Sequence, residues 1–288
     1  MSTIRLVCPN DPALLARLEK RTLCVRVKSP DEIAAAVDAA RARNALSCVI
    51  CDLDVPLDRI EVNEAWQGAP IVLMAPSVGR FCDLSGKLNA LRTLDLRVYL
   101  PYGEENLTGA RMLASVGIPA GIVVTPADAP DWDAVADLMT YALLGVVPHA
   151  PIEPFQTMAS GYRPNARSPN WGRVWFDDPS HYLHIDEAGR IALSRAELLA
   201  GDFIADDLSE LESPAARVAI DERVEDWRDF FLGNHFCARC KGWGLCHGRF
   251  CDGKPAPDGC QEFFHEMAGV IEQARSKTAK RPVERWQP

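Results

Sequence analysis

The chain carries ten cysteines, and half of them lie in one short segment near the C-terminal end. Cys237 and Cys240 are separated by two residues, so a tight turn between them lets both sulfur atoms face one point. Cys246, Cys251 and Cys260 follow at irregular spacing. Four thiolates bind either a tetrahedral zinc ion or an iron–sulfur cluster, and irregular spacing suits the larger radius of a cuboidal cluster. The segment therefore favours an iron–sulfur cluster, with zinc as the first alternative and no metal as the second.

The same segment resembles the C-terminal half of a SPASM domain, the auxiliary iron–sulfur module of many peptide-modifying radical SAM enzymes. That half has a CxxC pair, a cysteine after five further residues, another cysteine, and a distal cysteine followed by an aromatic helix. Cys237, Cys240, Cys246 and Cys260 match this pattern. The resemblance implies that these residues bind one [4Fe–4S] cluster. Cys251 follows Cys246 at one residue more than the family spacing, which makes it an alternative ligand or a free thiol.

Two departures from that family limit the chemistry that the resemblance implies. No cysteine occurs from Gln156 to Phe236, where a SPASM domain has ligands of a second, inner cluster, so we expect one cluster only. Radical SAM enzymes hold their SAM-binding cluster on a CxxxCxxC loop after the first strand, whereas this chain has Cys8 alone there. We therefore expect neither SAM as a cofactor nor its cleavage.

Short apolar or β-branched runs recur roughly every 20 to 25 residues in the first half of the chain, with segments of helical period between them. The runs are Ile4–Cys8, Leu23–Val27, Cys48–Asp52, Ile71–Met74, Leu94–Leu100 and Ala120–Val124. Such strand–helix units indicate an α/β fold with a parallel sheet, either open and doubly wound or most of a (β/α) barrel. The resemblance implies the second, a partial (β/α)6 barrel of radical SAM type followed by a small α+β SPASM-like iron–sulfur domain.

Prolines and glycines interrupt this pattern between Pro148 and Gly172. Beyond them, Tyr182–Asp186 and Ile191–Leu193 are two alternating runs around a turn that contains glycine, which predicts a β-hairpin. We therefore divide the chain into a barrel-like domain over 1–150, a linker over 151–180 and a cysteine-rich metal-cluster domain over 181–288.

Charge and hydropathy argue against two classes of partner. The chain has 31 Lys and Arg against 40 Asp and Glu, a formal net charge of −9 that repels a phosphate backbone, so we expect no nucleic-acid binding. No apolar run approaches the roughly 20 residues of a membrane-spanning helix, and the first residues show no signal-peptide pattern. We expect a cytoplasmic protein that does not contact membranes.

A second group of candidate residues lies outside the cysteine segment. Asp52 and Asp54 end the third predicted strand, at the edge where parallel sheets and barrels place ligand-facing residues. His149 lies just past the sixth unit, and we place it at the same barrel mouth. These three are the weaker candidates for catalytic residues, with loop and capping roles as the alternative. The remaining cysteines of these strands and helices are interpreted as core thiols: Cys24, Cys48, Cys51 and Cys82.

Taken together, these patterns predict a catalytically degenerate radical SAM/SPASM-like protein. We expect it to act as a partner subunit in peptide modification, in a homo- or hetero-oligomer, by contacting a radical SAM enzyme, its precursor peptide or both. Its cluster would relay an electron or stiffen the docking surface. Two alternatives stay open: a zinc-stapled binding module for a protein or small ligand, and an enzyme that uses the barrel mouth. Whether the chain is itself an enzyme is left undecided, and a non-catalytic or electron-transfer subunit is favoured.

Overall fold

A computed structural model describes residues 4–18, 21–42, 46–125, 128–163, 171–224, 232–233, 235–250 and 259–279. Within these ranges nine strands form one sheet. They are β1 (Arg5–Pro9), β2 (Leu23–Val27), β3 (Leu46–Asp52), β4 (Ile71–Met74), β5 (Leu96–Pro101), β6 (Ala120–Val123), β7 (Ile152–Glu153), β8 (Tyr182–Ile185) and β9 (Ile191–Ala192). All six strands expected from the sequence are confirmed.

The helices lie between these strands and after them. They are α1 (Pro12–Arg17), α2 (Ile33–Arg41), α3 (Phe81–Leu84), α4 (Leu88–Arg92), α5 (Glu104–Ser115), α6 (Trp132–Leu144), α7 (Phe155–Gly161), α8 (Trp171–Val174), α9 (Arg195–Ala200), α10 (Pro214–Val224), α11 (Trp243–Cys246) and α12 (Cys260–Ala279). Local capping explains the start of α6, because the Asp131 side chain accepts hydrogen bonds from backbone amides of its first turn. Ser29 caps in the same way the 3-10 turn Pro30–Glu32, which leads into α2.

The strand order is β7-β6-β5-β4-β3-β2-β1-β8-β9. Neighbouring strands run parallel throughout, except that β9 is antiparallel to β8. The six units predicted from the sequence therefore form one row in chain order, without the reversal of a doubly wound sheet among them. The α/β class with a mostly parallel sheet is confirmed.

The two faces of the sheet differ in chemistry. One face carries buried apolar side chains such as Val25, Val49 and Val98, and α2 and α5 pack against its strands. The strand register places polar side chains on the opposite face, because alternate residues point to opposite sides of a strand. The face that carries them, which we call the polar face, also holds Val7, Ile50, Val72 and Met74. Its polar residues are Arg5, Cys24, Arg26, Cys48, Asp52, Arg97, Tyr99, Glu153, Tyr182 and His184.

The sheet draws strands from all three segments predicted from the sequence. The segment 151–180, expected as a linker, contributes β7, α7 and α8. The predicted hairpin is confirmed as β8 and β9, and β8 pairs with β1. The sheet thus shows no domain boundary at residue 150 or 181, and the division into domains stays a prediction.

A cluster of aromatic rings joins the C-terminal helix to the rest of the molecule. The Trp132 ring of α6 stacks on Phe263 of α12, with ring centroids 4.8 Å apart. Trp171 of α8 meets Phe250 edge to face at 5.4 Å and Phe264 at 5.3 Å. All five side chains are buried. This cluster holds the cysteine segment, which lies between α10 and α12, against the sheet and its helices.

Candidate functional site

The four cysteines of the predicted cluster line one pocket, which we call the cysteine pocket. Cys237 lies in a single 3-10 turn whose start is fixed by His235, because Nδ1 of His235 accepts a 3.2 Å hydrogen bond from the Cys237 amide. Cys240 follows that turn, Cys246 ends α11, and Cys260 begins α12. The fold therefore brings Cys237 and Cys260, which are 23 positions apart in sequence, to the same cavity.

Close backbone approach shapes this pocket. The Gly242 amide donates a 3.3 Å hydrogen bond to Sγ of Cys240. A Cβ atom at residue 242 would lie 2.4 Å from the Cβ of Phe264, so only glycine lets the loop reach α12 at this distance. After Cys246, His247 and Gly248 both adopt positive φ, 52° and 76°, which turns the chain back over the Cys246 sulfur.

The Cys246 sulfur sits in surroundings that stabilise its thiolate. A hydrogen bond from the Cys260 thiol lowers the pKa of Cys246, and the backbone amides of Phe250, Gly248 and Arg249 lower it further, against the opposing effect of burial. Metal ligands must be deprotonated, and amides directed at sulfur stabilise its negative charge. The local backbone therefore favours the ionised form that a metal centre requires.

Arg249 ties the same turn to the sheet side of the molecule. One of its terminal nitrogens lies 3.2 Å from a carboxylate oxygen of Asp177, and its guanidinium carbon is 4.9 Å from the centre of the Trp175 ring. Both partners precede β8 in the chain. The turn that supplies amides to Cys246 is thus fixed by a charge pair and a cation–π contact.

The described residues contain no set of three or more His, Cys, Asp and Glu side chains that is placed to hold a metal ion. A tetrahedral zinc ion needs its sulfur ligands about 2.3 Å from one point, so the pocket is not arranged for zinc as it stands. A four-iron cluster places each thiolate on a different iron, so its sulfur ligands stand farther apart than those of zinc. Cys246 and Cys260, which share a hydrogen bond, would have to separate to hold such a cluster. Cys251, the alternative ligand, lies outside the described residues.

Asp52 lies between two arginines at the carboxyl end of β3. Its carboxylate oxygens are 2.8 Å from Nε of Arg26, and 3.0 and 2.9 Å from the two terminal nitrogens of Arg195. This geometry is that of a doubly clamped carboxylate whose charge is already neutralised. Both carboxylate oxygens are therefore already engaged by arginine side chains.

The structure does not bring the three weaker candidates together. Asp54 follows β3 and is exposed. His149 precedes β7, so it lies at the amino edge of the parallel sheet, opposite to the edge that carries Asp52. There its ring stacks on Tyr141 at 4.6 Å and its Nδ1 contacts the Ala150 carbonyl oxygen at 2.8 Å. The expectation that His149 faces the same mouth as Asp52 is therefore wrong, because the chain crosses the sheet before β7.

A cavity of about 470 Å3 opens beside Asp52, at the carboxyl ends of β1, β2 and β8, and we call it the sheet-edge cavity. Its lining includes Arg26, Arg195 and His184, three residues that the sequence analysis missed. Burial lowers the pKa of His184 to about 4, so the ring is neutral at pH 7, and its Nε2 donates to the Phe176 carbonyl oxygen at 2.9 Å. The one available sequence signal was a charged residue between apolar ones in a strand, Val25-Arg26-Val27.

The other cysteines occupy several environments. Cys8, Cys24, Cys48 and Cys51 are buried, as expected for core thiols, whereas Cys82 on α3 is exposed. The interpretation of Cys82 as a core thiol is therefore wrong, because α3 is a single turn whose outer side faces solvent.

Comparison with protein-family models and with curated protein sequences finds no match to this chain. Across the described ranges, no helix combines the length and the apolar character needed to cross a membrane. The functional conclusion therefore rests on the chemistry of the cysteine pocket and of the polar face.

Proposed function

We propose that this chain is a catalytically degenerate relative of the radical SAM/SPASM proteins that carries one [4Fe–4S] cluster on Cys237, Cys240, Cys246 and Cys260. It acts in the cytoplasm as a partner subunit in peptide modification, in contact with a radical SAM enzyme, its precursor peptide or both. The observation that carries the proposal is the convergence of these four cysteines on one pocket.

The chain's own groups have defined roles in this proposal. The four thiolates hold the centre, and the amides of residues 242 and 248–250 direct hydrogen bonds at two of the sulfur atoms. Hydrogen bonds to sulfur and limited solvent exposure set the potential of such a centre. When bound, the cluster supplies a one-electron relay. The aromatic cluster around Trp132 keeps the loop rigid, so that the centre has a fixed position relative to the sheet.

The strand arrangement supports the finer description of the fold, a partial (β/α)6 barrel followed by a SPASM-like α+β domain. Strands β1 to β7 are neighbours in chain order, and β8 lies on the other side of β1, which is the order around the wall of an eight-stranded barrel. Cys8 lies within β1 and is buried, and no cysteine pair accompanies it, so SAM cleavage is not part of the proposal.

Two alternatives compete with this proposal. A zinc ion would use the same four donors, and the hydrogen bond between Cys246 and Cys260 gives two of them the close spacing of zinc ligands. The described side chains form no ready metal-holding group for either centre. An enzyme at the barrel mouth would rely on Asp52, whose carboxylate is paired with Arg26 and Arg195.

Metal analysis of the full chain tests the cluster. After anaerobic reconstitution with iron and sulfide, we expect about four irons and four sulfides per chain and a visible absorption band that a reductant bleaches. Cys240→Ser and Cys246→Ser should lose most of the iron, whereas Cys82→Ser, which changes an exposed thiol outside the pocket, should load as the unchanged chain does. Stoichiometric zinc with no visible absorption would overturn the proposal.

The partner role needs a separate test. The chain, loaded with iron and sulfide, is mixed with a radical SAM enzyme and a short precursor peptide encoded beside it in the same genome, and peptide modification is followed by mass spectrometry. We expect modification to require the chain and to fail with Cys246→Ser. Equal modification in the absence of the chain would refute the partner role without affecting the cluster.

A further inference from the structure

A second pair of thiols lies on the polar face, far from the cysteine pocket in sequence. Cys24 of β2 and Cys48 of β3 are register partners, so their side chains point to the same side of neighbouring strands. Neighbouring strands are about 4.8 Å apart, which lies inside the range of about 4.4–6.8 Å between the Cα atoms of a disulfide. The register shifts between residues 23 and 24, and this irregularity gives the backbone beside the pair room to adjust.

The two thiols interact directly and share a positive environment. Cys48 donates a hydrogen bond to Cys24, which lowers the pKa of Cys24 and raises that of Cys48. The guanidinium groups of Arg5 and Arg26 favour the ionised form of both. These arginines lie on the same face of the sheet, one towards each end of the strands. The pair is therefore suited to hold one proton and one negative charge between its two sulfur atoms, which is the state of a reactive dithiol.

Small molecules can reach this pair from one side. Cys48 lines a cavity of about 570 Å3 between the polar face and the segment that contains α7 and α8, which we call the polar-face cavity. Arg5, Tyr99 and Tyr182 line the same cavity. Cys24 is fully buried behind Cys48. A reagent in the cavity thus meets Cys48 first, with Cys24 next to it as the second sulfur.

We propose that Cys24 and Cys48 are a redox-active dithiol that a hydroperoxide in the polar-face cavity converts to a disulfide. At rest the negative charge lies on Cys24 and the proton on Cys48. Transfer of this proton to Cys24 along their hydrogen bond makes Cys48, the sulfur that lines the cavity, the one that attacks the peroxide. The S–O bond forms as the O–O bond breaks, giving a sulfenic acid and hydroxide.

The second step closes the disulfide. The Cys24 thiol attacks the Cys48 sulfenic sulfur and displaces its oxygen as hydroxide, which takes the Cys24 proton and leaves as water. The hydroxide of the first step takes from solvent the proton that the pair released when it ionised. In sum, two thiols lose two electrons and two protons, and hydrogen peroxide is reduced to two molecules of water. A thiol reductant reverses the change by exchange.

Other buried cysteines in these strands lack these features. Burial raises the pKa of Cys8 and of Cys51 to about 12, so both remain protonated at neutral pH. Both point to the apolar face, away from the polar-face cavity. Cys51 is the matched control, because it lies on the same strand as Cys48 and is equally enclosed.

Peptide mapping of the full chain tests this proposal. The reduced protein is treated with one equivalent of hydrogen peroxide, its remaining thiols are alkylated, and it is digested with trypsin. Cys24 falls in residues 22–26, whereas Cys48 and Cys51 share residues 44–59. We expect these two peptides to be linked and to be lighter by two hydrogen atoms than the sum of the free peptides. The Cys51→Ser variant should form the same link between the two peptides. A thiol reductant should reduce this disulfide and release the two peptides.

Two variants separate the roles of the pair. In Cys24→Ser, Cys48 should stop at the sulfenic acid, which a dimedone label detects. Arg5→Met should slow linkage at pH 7, because loss of the positive charge raises the pKa of both thiols and so lowers the thiolate population. If Cys24 and Cys48 remain fully alkylatable while exposed Cys82 is oxidised, or if Cys24 links to another cysteine, the proposal is wrong. The map of the unchanged chain decides this even if a variant does not fold.

Discussion

Replacing Gly242 by alanine probes the contact that shapes the cysteine pocket. The added methyl group would lie 2.4 Å from the Cβ of Phe264 and 3.4 Å from its backbone carbonyl carbon. Carbon atoms pack at about 3.5–4.0 Å, and neither Phe264 atom is the end of a flexible side chain, so the loop must move away from α12. We expect the substitution to lower the free energy of opening this loop by about 1–3 kcal/mol, the usual cost of an extra methyl group in a packed interior.

Gly244 supplies the control, because a Cβ there meets nothing within 4 Å. It lies inside α11, where alanine is expected to stabilise the helix by up to about 1 kcal/mol. The assay is the alkylation rate of Cys246, which is 7% exposed, in the metal-free chain under native conditions. A loss of 1–3 kcal/mol raises the open population, and with it this rate, by about 5- to 160-fold. An unchanged rate in Gly242→Ala would refute the close contact.

Three further changes have defined outcomes. Trp132→Ala removes a buried ring that packs on three phenylalanines. The unfolding free energy measured in urea should fall by about 3–5 kcal/mol, and the chain should bind less iron. Asp52→Asn leaves two arginines without their shared carboxylate and should cost about 2 kcal/mol, whereas Asp54→Asn at an exposed position should change the unfolding free energy little. Burial lowers the pKa of His184 to about 4. Between pH 6.5 and pH 4 this histidine is therefore protonated in the unfolded chain but neutral in the folded chain. The unfolding free energy should therefore fall by up to about 3 kcal/mol from pH 6.5 towards pH 4, and His184→Asn should lack that part of the slope.

Local sequence patterns were sufficient to locate the strands. Apolar runs of strand length, each followed by a segment of helical period, located β1 to β6 because both periods are set by neighbouring residues alone. The placement of His149 failed, because its position depends on the edge at which the chain enters β7.

Pairings across the chain were out of reach of such patterns. Arg195 pairs with Asp52 although the two residues are 143 positions apart. The residues around each of them contain no pattern that predicts this pairing. The pairing of Cys24 with Cys48 likewise needed the register of β2 against β3. The alternation of apolar and polar residues along a strand predicts which face a side chain points to. It does not predict which residue of the adjacent strand lies beside that side chain.

The residue order alone determined the α/β class, six strands and a cysteine segment whose spacing suits a thiolate-bound centre. Those features depend on residues near one another in the chain, where backbone geometry fixes the distances. The tertiary structure decided that Cys260 meets the other three cysteines in one pocket, that Asp52 is neutralised, and that one face of the sheet is polar. These outcomes depend on which strands and helices pack side by side, and that is set by burial and charge pairing between distant parts of the chain.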